Sequence, residues 1–124
     1  MPLTSIFGHW AVPTTTQTGT YTVQTRDFGS CIQAGGALTA TLPAAGPHIN
    51  GVWVQFFSIA AGDLIIGVTG NDQIVTDNDA AADSVTYGTT GEEIGSSCTF
   101  LCDGTGWLHF NNISDTDASK TQAT

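Results

Sequence analysis

Residues 97–110 read SCTFLCDGTGWLHF. Two of the chain's three cysteines, a histidine, a tryptophan and an Asp-Gly pair fall within them. The stretch is therefore either a centre of metal or redox chemistry or one β-hairpin, and strand spacing separates the two readings. In a strand, Cys98, Phe100 and Cys102 share one face while Thr99 and Leu101 take the other. Four residues along a strand cover ~13 Å, too far for a disulfide or a shared tetrahedral zinc. A helix would bring the thiols together, but Thr-Phe-Leu running into Asp-Gly is poor helix sequence and good hairpin sequence. DGTG then forms the turn and WLHF the return strand. Trp107 and His109 lie on one of its faces, Leu108 and Phe110 on the other. Cys31 or His109 remains able to approach a thiol across strands. The preferred reading is nevertheless buried thiols acting as small apolar groups and a packed, hydrogen-bonded histidine.

The rest of the chain agrees with the hairpin. It has 124 residues, which suits one domain with a real core. Gly is abundant at 15, Asp outnumbers Glu nine to two, and Lys plus Arg come to two, Arg26 and Lys120. The supply of Glu, Lys, Arg and Leu that long helices need is missing. Threonine, valine and aromatics punctuated by Gly, Asn, Asp and Pro specify short strands and tight turns. The expected fold is all-β, an antiparallel β-sandwich, jelly-roll-like, with an extended N-terminal arm.

Three segments are expected. Residues 1–20 form the arm: Pro2 and Pro13 favour extended backbone, and TTTQTGT sustains no period. Residues 21–110 form the sandwich, and 111–124 a polar C-terminal tail, frayed or draped on a surface. Within the sandwich the strand candidates are YTVQT, CIQ, ALTATL, VWVQFFSI, DLIIGV, QIV, SVTYG, SCTFLC and WLHF. Residues 52–59, VWVQFFSI, are apolar on both faces. That marks a central strand covered on both sides, or one at an interface.

Charge removes several functions. A net charge of −9 opposes nucleic-acid binding, whose affinity comes from Lys and Arg on phosphates. It opposes docking on anionic membranes equally. No apolar run reaches the ~18 residues of a membrane helix, and MPLTSIFGHW has no basic signal-peptide start. Three cysteines cannot complete a disulfide framework, which fits synthesis in a reducing compartment.

Catalytic and metal motifs are weak. The sequence contains no G-x-S-x-G, H-E-x-x-H, Walker or Rossmann pattern. Glu92 and Glu93 are adjacent and in a strand would point apart, a poor glycosidase pair. Asn112-Ile113-Ser114 is a sequon expected to stay silent without secretion. The acidic stretch 72–83 offers Asp77, Asn78, Asp79 and Asp83 to calcium. It departs from the EF-hand loop, with Ala81 and Ala82 where an oxygen ligand and the glycine belong. A solvated loop is the preferred reading. No catalytic residue, cofactor or metal is expected.

From Tyr21 onward the order of features resembles a module of tailed-bacteriophage structural proteins. It is carried by the Y-T-V strand, the D-F-G turn, GGALTATLPAA, a glycine before VWVQFF, AAGDLIIG, and GEEIGSSCTFLCDGTGW. In that module a strand ends in Leu-Pro, the next follows a glycine, and the last hairpin reads DGT-x-W. The matching positions are Leu42-Pro43, Gly51 and Asp103 to Trp107. The resemblance spans about residues 21–110 and rests on turn and core signals. It implies a capsid decoration (cement) protein on the outer surface of the virion head, made in the host cytoplasm. The implied partners are the major capsid protein and the chain itself, as a homotrimer. The alternative is a tail-fibre or receptor-binding β-domain recognising host glycans; the lack of a shaft or coiled coil here favours decoration. Interface candidates are Ile6, Phe7, Trp10 and Val12 on the arm, with Trp53, Phe57 and Trp107 on the sheet.

Overall fold

The computed structural model describes residues 12–76, 79–88, 94–113 and 120–123. Thr14–Thr22 (β1) and Cys31–Thr41 (β2) run parallel and in contact from end to end. A straight β2 would be ~36 Å long. The connection from Thr22 to Cys31, with a 3-10 turn at Thr25–Asp27, reaches only about 25 Å. The chain can return only because both strands bend. Their register shifts between Gln17 and Gly19, opposite Gly35-Gly36. Gly19 has φ +73°, and a Cβ on Gly35 would lie 2.9 Å from Thr16 Cγ2. CIQ and ALTATL, two expected strands, are thus the halves of one bent strand.

Trp53–Ser58 (β3) and Leu64–Gly67 (β4) follow the same bend. Each runs parallel to one half of β2, with Ala34 opposite Ser58 and Leu38 opposite Leu64. Residues 59–63 cross the corner, where Gly62 lies with φ +143° against the backbone of Gly36 and Ala37. Ile74–Thr76 (β5), Asp79–Ala82 (β6), Ser84–Tyr87 (β7), Ser97–Cys102 (β8), Trp107–Ile113 (β9) and Lys120–Ala123 (β10) complete the strands. Sheet order is β10-β7-β4-β2-β3-β8-β9-β5-β6, with β1 also on β2. The sheet rolls into a nearly closed, barrel-like shape. Among the described residues there is no α-helix.

The all-β expectation holds, and the hairpin of residues 97–110 is β8 and β9, with Leu101 opposite Leu108. Four expectations need correction. The sheet is mixed rather than antiparallel, since β1, β3 and β4 pair parallel with β2, and β5 with β9. Thr14–Thr20, assigned to the arm, belongs to the sheet. It lacks a period because, apart from half-buried Gln17, these residues are exposed on both faces; strand pairing there needs only the backbone, and threonine suits it. Asn111–Ile113 and Lys120–Ala123 are strand, not a loose tail, and β10 pairs with β7. Within 72–83, Asp79–Ala82 is strand β6, with Ala82 wholly buried. Asp77 and Asn78 lie outside the described residues.

One face of the rolled sheet closes on a single core. Ile32, Leu38, Leu42, Val54, Phe56, Leu64, Ile66, Ile74, Tyr87, Phe100 and Trp107 are at most 1 % exposed. Phe56 and Phe100 meet edge to face at 5.9 Å, a favoured aromatic geometry. The β1–β2 connection is fastened from inside by buried Asp27. Its carboxylate accepts from Tyr21 Oη at 2.6 Å and from Gln24 N at 2.8 Å.

Candidate interaction surface

Strand alternation sets what the other face of the sheet presents. On β3, Val54, Phe56 and Ser58 are buried, so Trp53, Gln55 and Phe57 point outward. β8 turns Ser97, Thr99 and Leu101 outward, β9 Leu108 and Phe110, and β5 Val75. Register aligns these residues in rows. Trp53 lies opposite Leu101, Leu101 opposite Leu108, and Leu108 opposite Val75. At ~4.8 Å between strands, that apolar row is about 14 Å long. A second row runs Thr14, Cys31, Gln55, Thr99, Phe110. Phe57 is 39 % exposed, Phe110 41 % and Val75 43 %, and Ile59 carries the β3 column onward at 44 %.

None of these outward positions is charged, on a chain of net charge −9. At the centre of the face Thr99 is buried by its neighbours, and its hydroxyl has no hydrogen-bond partner among the described residues. Monomeric proteins rarely expose contiguous apolar surface of this kind unless something binds there.

The sheet candidates divide. Phe57 is on this face and exposed, and Trp53 is half-buried in the first row, packed near Gly29. Of the two readings of VWVQFFSI, a strand covered on both sides or one at an interface, the first is corrected: one face is core, the other open. Trp107 is corrected from interface to core. Its ring is fully buried, Nε1 donates to the Pro43 carbonyl at 3.1 Å, and its backbone N–H donates to Gln73 O at 2.9 Å. Val12 is 44 % exposed, while Ile6, Phe7 and Trp10 lie outside the described residues. Leu101, Leu108, Phe110 and Val75 escaped the sequence reading. WLHF carries their signal, being apolar on both faces, whereas the outer face of SCTFLC holds Ser97 and Thr99 beside Leu101, and only cross-strand register joins Leu101 to the row.

The hairpin's own chemistry is structural. Asp103 Oδ1 accepts from Thr105 N and Gly106 N at 2.9 Å each, and these bonds hold its carboxyl below the usual range. Gly104 supplies φ +90°. All three thiols are free, and burial pushes Cys98 up to about 12. A thiol held so far from ionisation is not a nucleophile. His109 Nδ1 meets Thr76 Oγ1 at 2.7 Å, its Nε2 meets Tyr87 Oη at 2.9 Å, and its ring stacks on Phe100 at 4.7 Å. Burial depresses its pKa to about 4. The ring is thus neutral at pH 7 and has both nitrogens engaged, which suits a core strut rather than a base.

A shallow cleft lies beside the β8–β9 turn, lined by Asn71, Gln73, Val75, Ala80, Asp103, Thr105 and Gly106 with Trp107 beneath. Among the described residues no three His, Cys, Asp or Glu side chains converge as metal ligands. No described helix is long and apolar enough to cross a membrane. No protein-family model matches the chain, and no curated protein matches it.

Proposed function

We propose that the chain is a capsid decoration (cement) protein of a tailed bacteriophage. It is a homotrimer that binds the major capsid protein on the outer surface of the head and stabilises the shell without catalysis. The observation that carries this reading is the uncharged apolar outer face of β3, β8, β9 and β5, set on a strongly acidic molecule. A cement protein needs a rigid body and apolar surface to bury against its neighbours, and that face offers both. The acidic remainder keeps the protein soluble and away from nucleic acid and anionic membrane. In this reading the rolled sheet is a jelly-roll-like sandwich, its two halves formed where β1, β2 and the β3–β4 segment bend together.

The test is heat inactivation of phage particles with and without the chain. Particles carrying it should survive heating that inactivates particles from which its gene has been deleted. Equal survival, or purified virions that lack the chain, would contradict the proposal.

A glycan-binding tail domain is the second reading, and the polar cleft lined by Asn71, Gln73, Asp103 and Thr105 favours it. Against it, the cleft's aromatic ring, Trp107, is wholly buried and gives a sugar no face to stack on. Saturable heat on titrating host-surface glycans would reverse the preference.

A further inference from the structure

We infer that residues 1–11 of one copy dock across the apolar row Trp53–Leu101–Leu108–Val75 of a neighbouring copy. This deepens the homotrimer reading of the preceding subsection and rests on it.

The row and the segment match in chemistry. Residues 1–12, MPLTSIFGHWAV, contain no Asp, Glu, Lys or Arg, although the chain carries 11 acidic residues elsewhere. They bring Leu3, Ile6, Phe7 and Trp10 to a face that is uncharged and apolar. Neither surface repels the other, and each removes from water what the other leaves exposed.

The exit from the sheet explains why the occupant is a second copy. Cys31 N donates to the Pro13 carbonyl, so the chain is still in register with β2 at Pro13. Thr14 stands opposite Cys31 and Gly29 N bonds Trp53 O, which puts Val12 at the β1 end of the apolar row. Pro13 has a fixed φ, and the residue before a proline is held extended. Val12 is thus at the end of the sheet, and a chain continued extended for four residues beyond it would span ~13 Å outside its own sheet, within reach of a neighbouring copy. Eleven residues reach up to about 36 Å, more than the width of the row. One arm passed from each copy to the next is a head-to-tail contact, which in the homotrimer reading closes in a ring of three.

Sedimentation velocity on the purified full-length chain tests this without any capsid, so the outcome is independent of whether capsids bind it. Wild type should sediment as a trimer. Phe7→Glu/Trp10→Glu, with a defective arm, should be monomeric, and so should Leu108→Glu, with a defective face. Each should lose assembly at least tenfold while keeping the wild-type far-ultraviolet spectrum. Val75→Glu, at a more exposed position of the same row, serves if Leu108→Glu does not fold. Mixing the arm-defective and face-defective chains should restore a 1:1 heterodimer, since one intact arm then meets one intact face. A monomeric wild type would overturn the inference, as would variants that assemble like wild type or a mixture that forms no heterodimer.

Discussion

His109 shows how one residue's surroundings decide its chemistry. Its ring lies between Phe100 and the hydroxyls of Thr76 and Tyr87, and Cys98 hydrogen-bonds the Tyr87 side chain. Burial lowers its folded pKa to about 4, against ~6.5 when unfolded. A group whose charged form is disfavoured in the fold contributes stability that is fully present above about pH 6.5. That contribution is lost as pH falls towards 4. The whole shift corresponds to ~3 kcal/mol, and partial exposure reduces it to ~1–2 kcal/mol. Wild type should therefore lose ~1–2 kcal/mol more than His109→Gln between pH 7 and pH 4 in denaturant titrations. Parallel pH profiles would contradict this. Strand alternation in WLHF already marks His109 as a packed, hydrogen-bonded residue on the face of Trp107. It did not identify Thr76 and Tyr87 as partners, because both come from strands distant in sequence.

At the scale of elements, the bend shared by β1, β2 and the β3–β4 segment holds the fold together. Gly62 is its tightest point: a Cβ there would lie 2.4 Å from Ala37 N and 2.8 Å from Gly36 C. Backbone atoms cannot yield as a flexible side chain would, and φ +143° is strained for any L-residue. Gly62→Ala should lower the unfolding free energy by ~2–4 kcal/mol. Gly70→Ala makes a control, since φ is also positive at +62° but nothing lies within 4 Å. It should cost only ~1–2 kcal/mol. Equal midpoints for the two variants would show that the corner is not tightly packed. Local signals located β3, β4, β5, β7, β8 and β9 because turns and alternation bracket them. The bend was illegible, since Gly35-Gly36 reads equally well as a loop between two short strands. β1 and β6 were missed for a related reason: TTTQTGT and DAAA have few large apolar residues, and pairing rather than pattern makes them strands.

On the scale of the whole molecule, the separation of charge from apolar surface governs behaviour. Eleven acidic residues and two basic ones leave the chain acidic overall, yet the outward rows of β3, β8, β9 and β5 hold none of them. Composition revealed the first fact, and only register revealed the second, because it takes four strands in alignment to make Trp53, Leu101, Leu108 and Val75 one surface. Capsid attachment through the part of this surface outside the row Trp53–Leu101–Leu108–Val75, which presents exposed Phe57, Ile59 and Phe110, is driven by removing apolar groups from water, with little help from long-range charge. The most direct measurement is co-sedimentation of the purified chain with undecorated phage capsids across a salt series from 50 mM to ~1 M, where screening cuts the Debye length to about 3 Å. Binding that persists or tightens at high salt is the predicted result; binding that disappears as salt rises, or that is absent throughout, would contradict it.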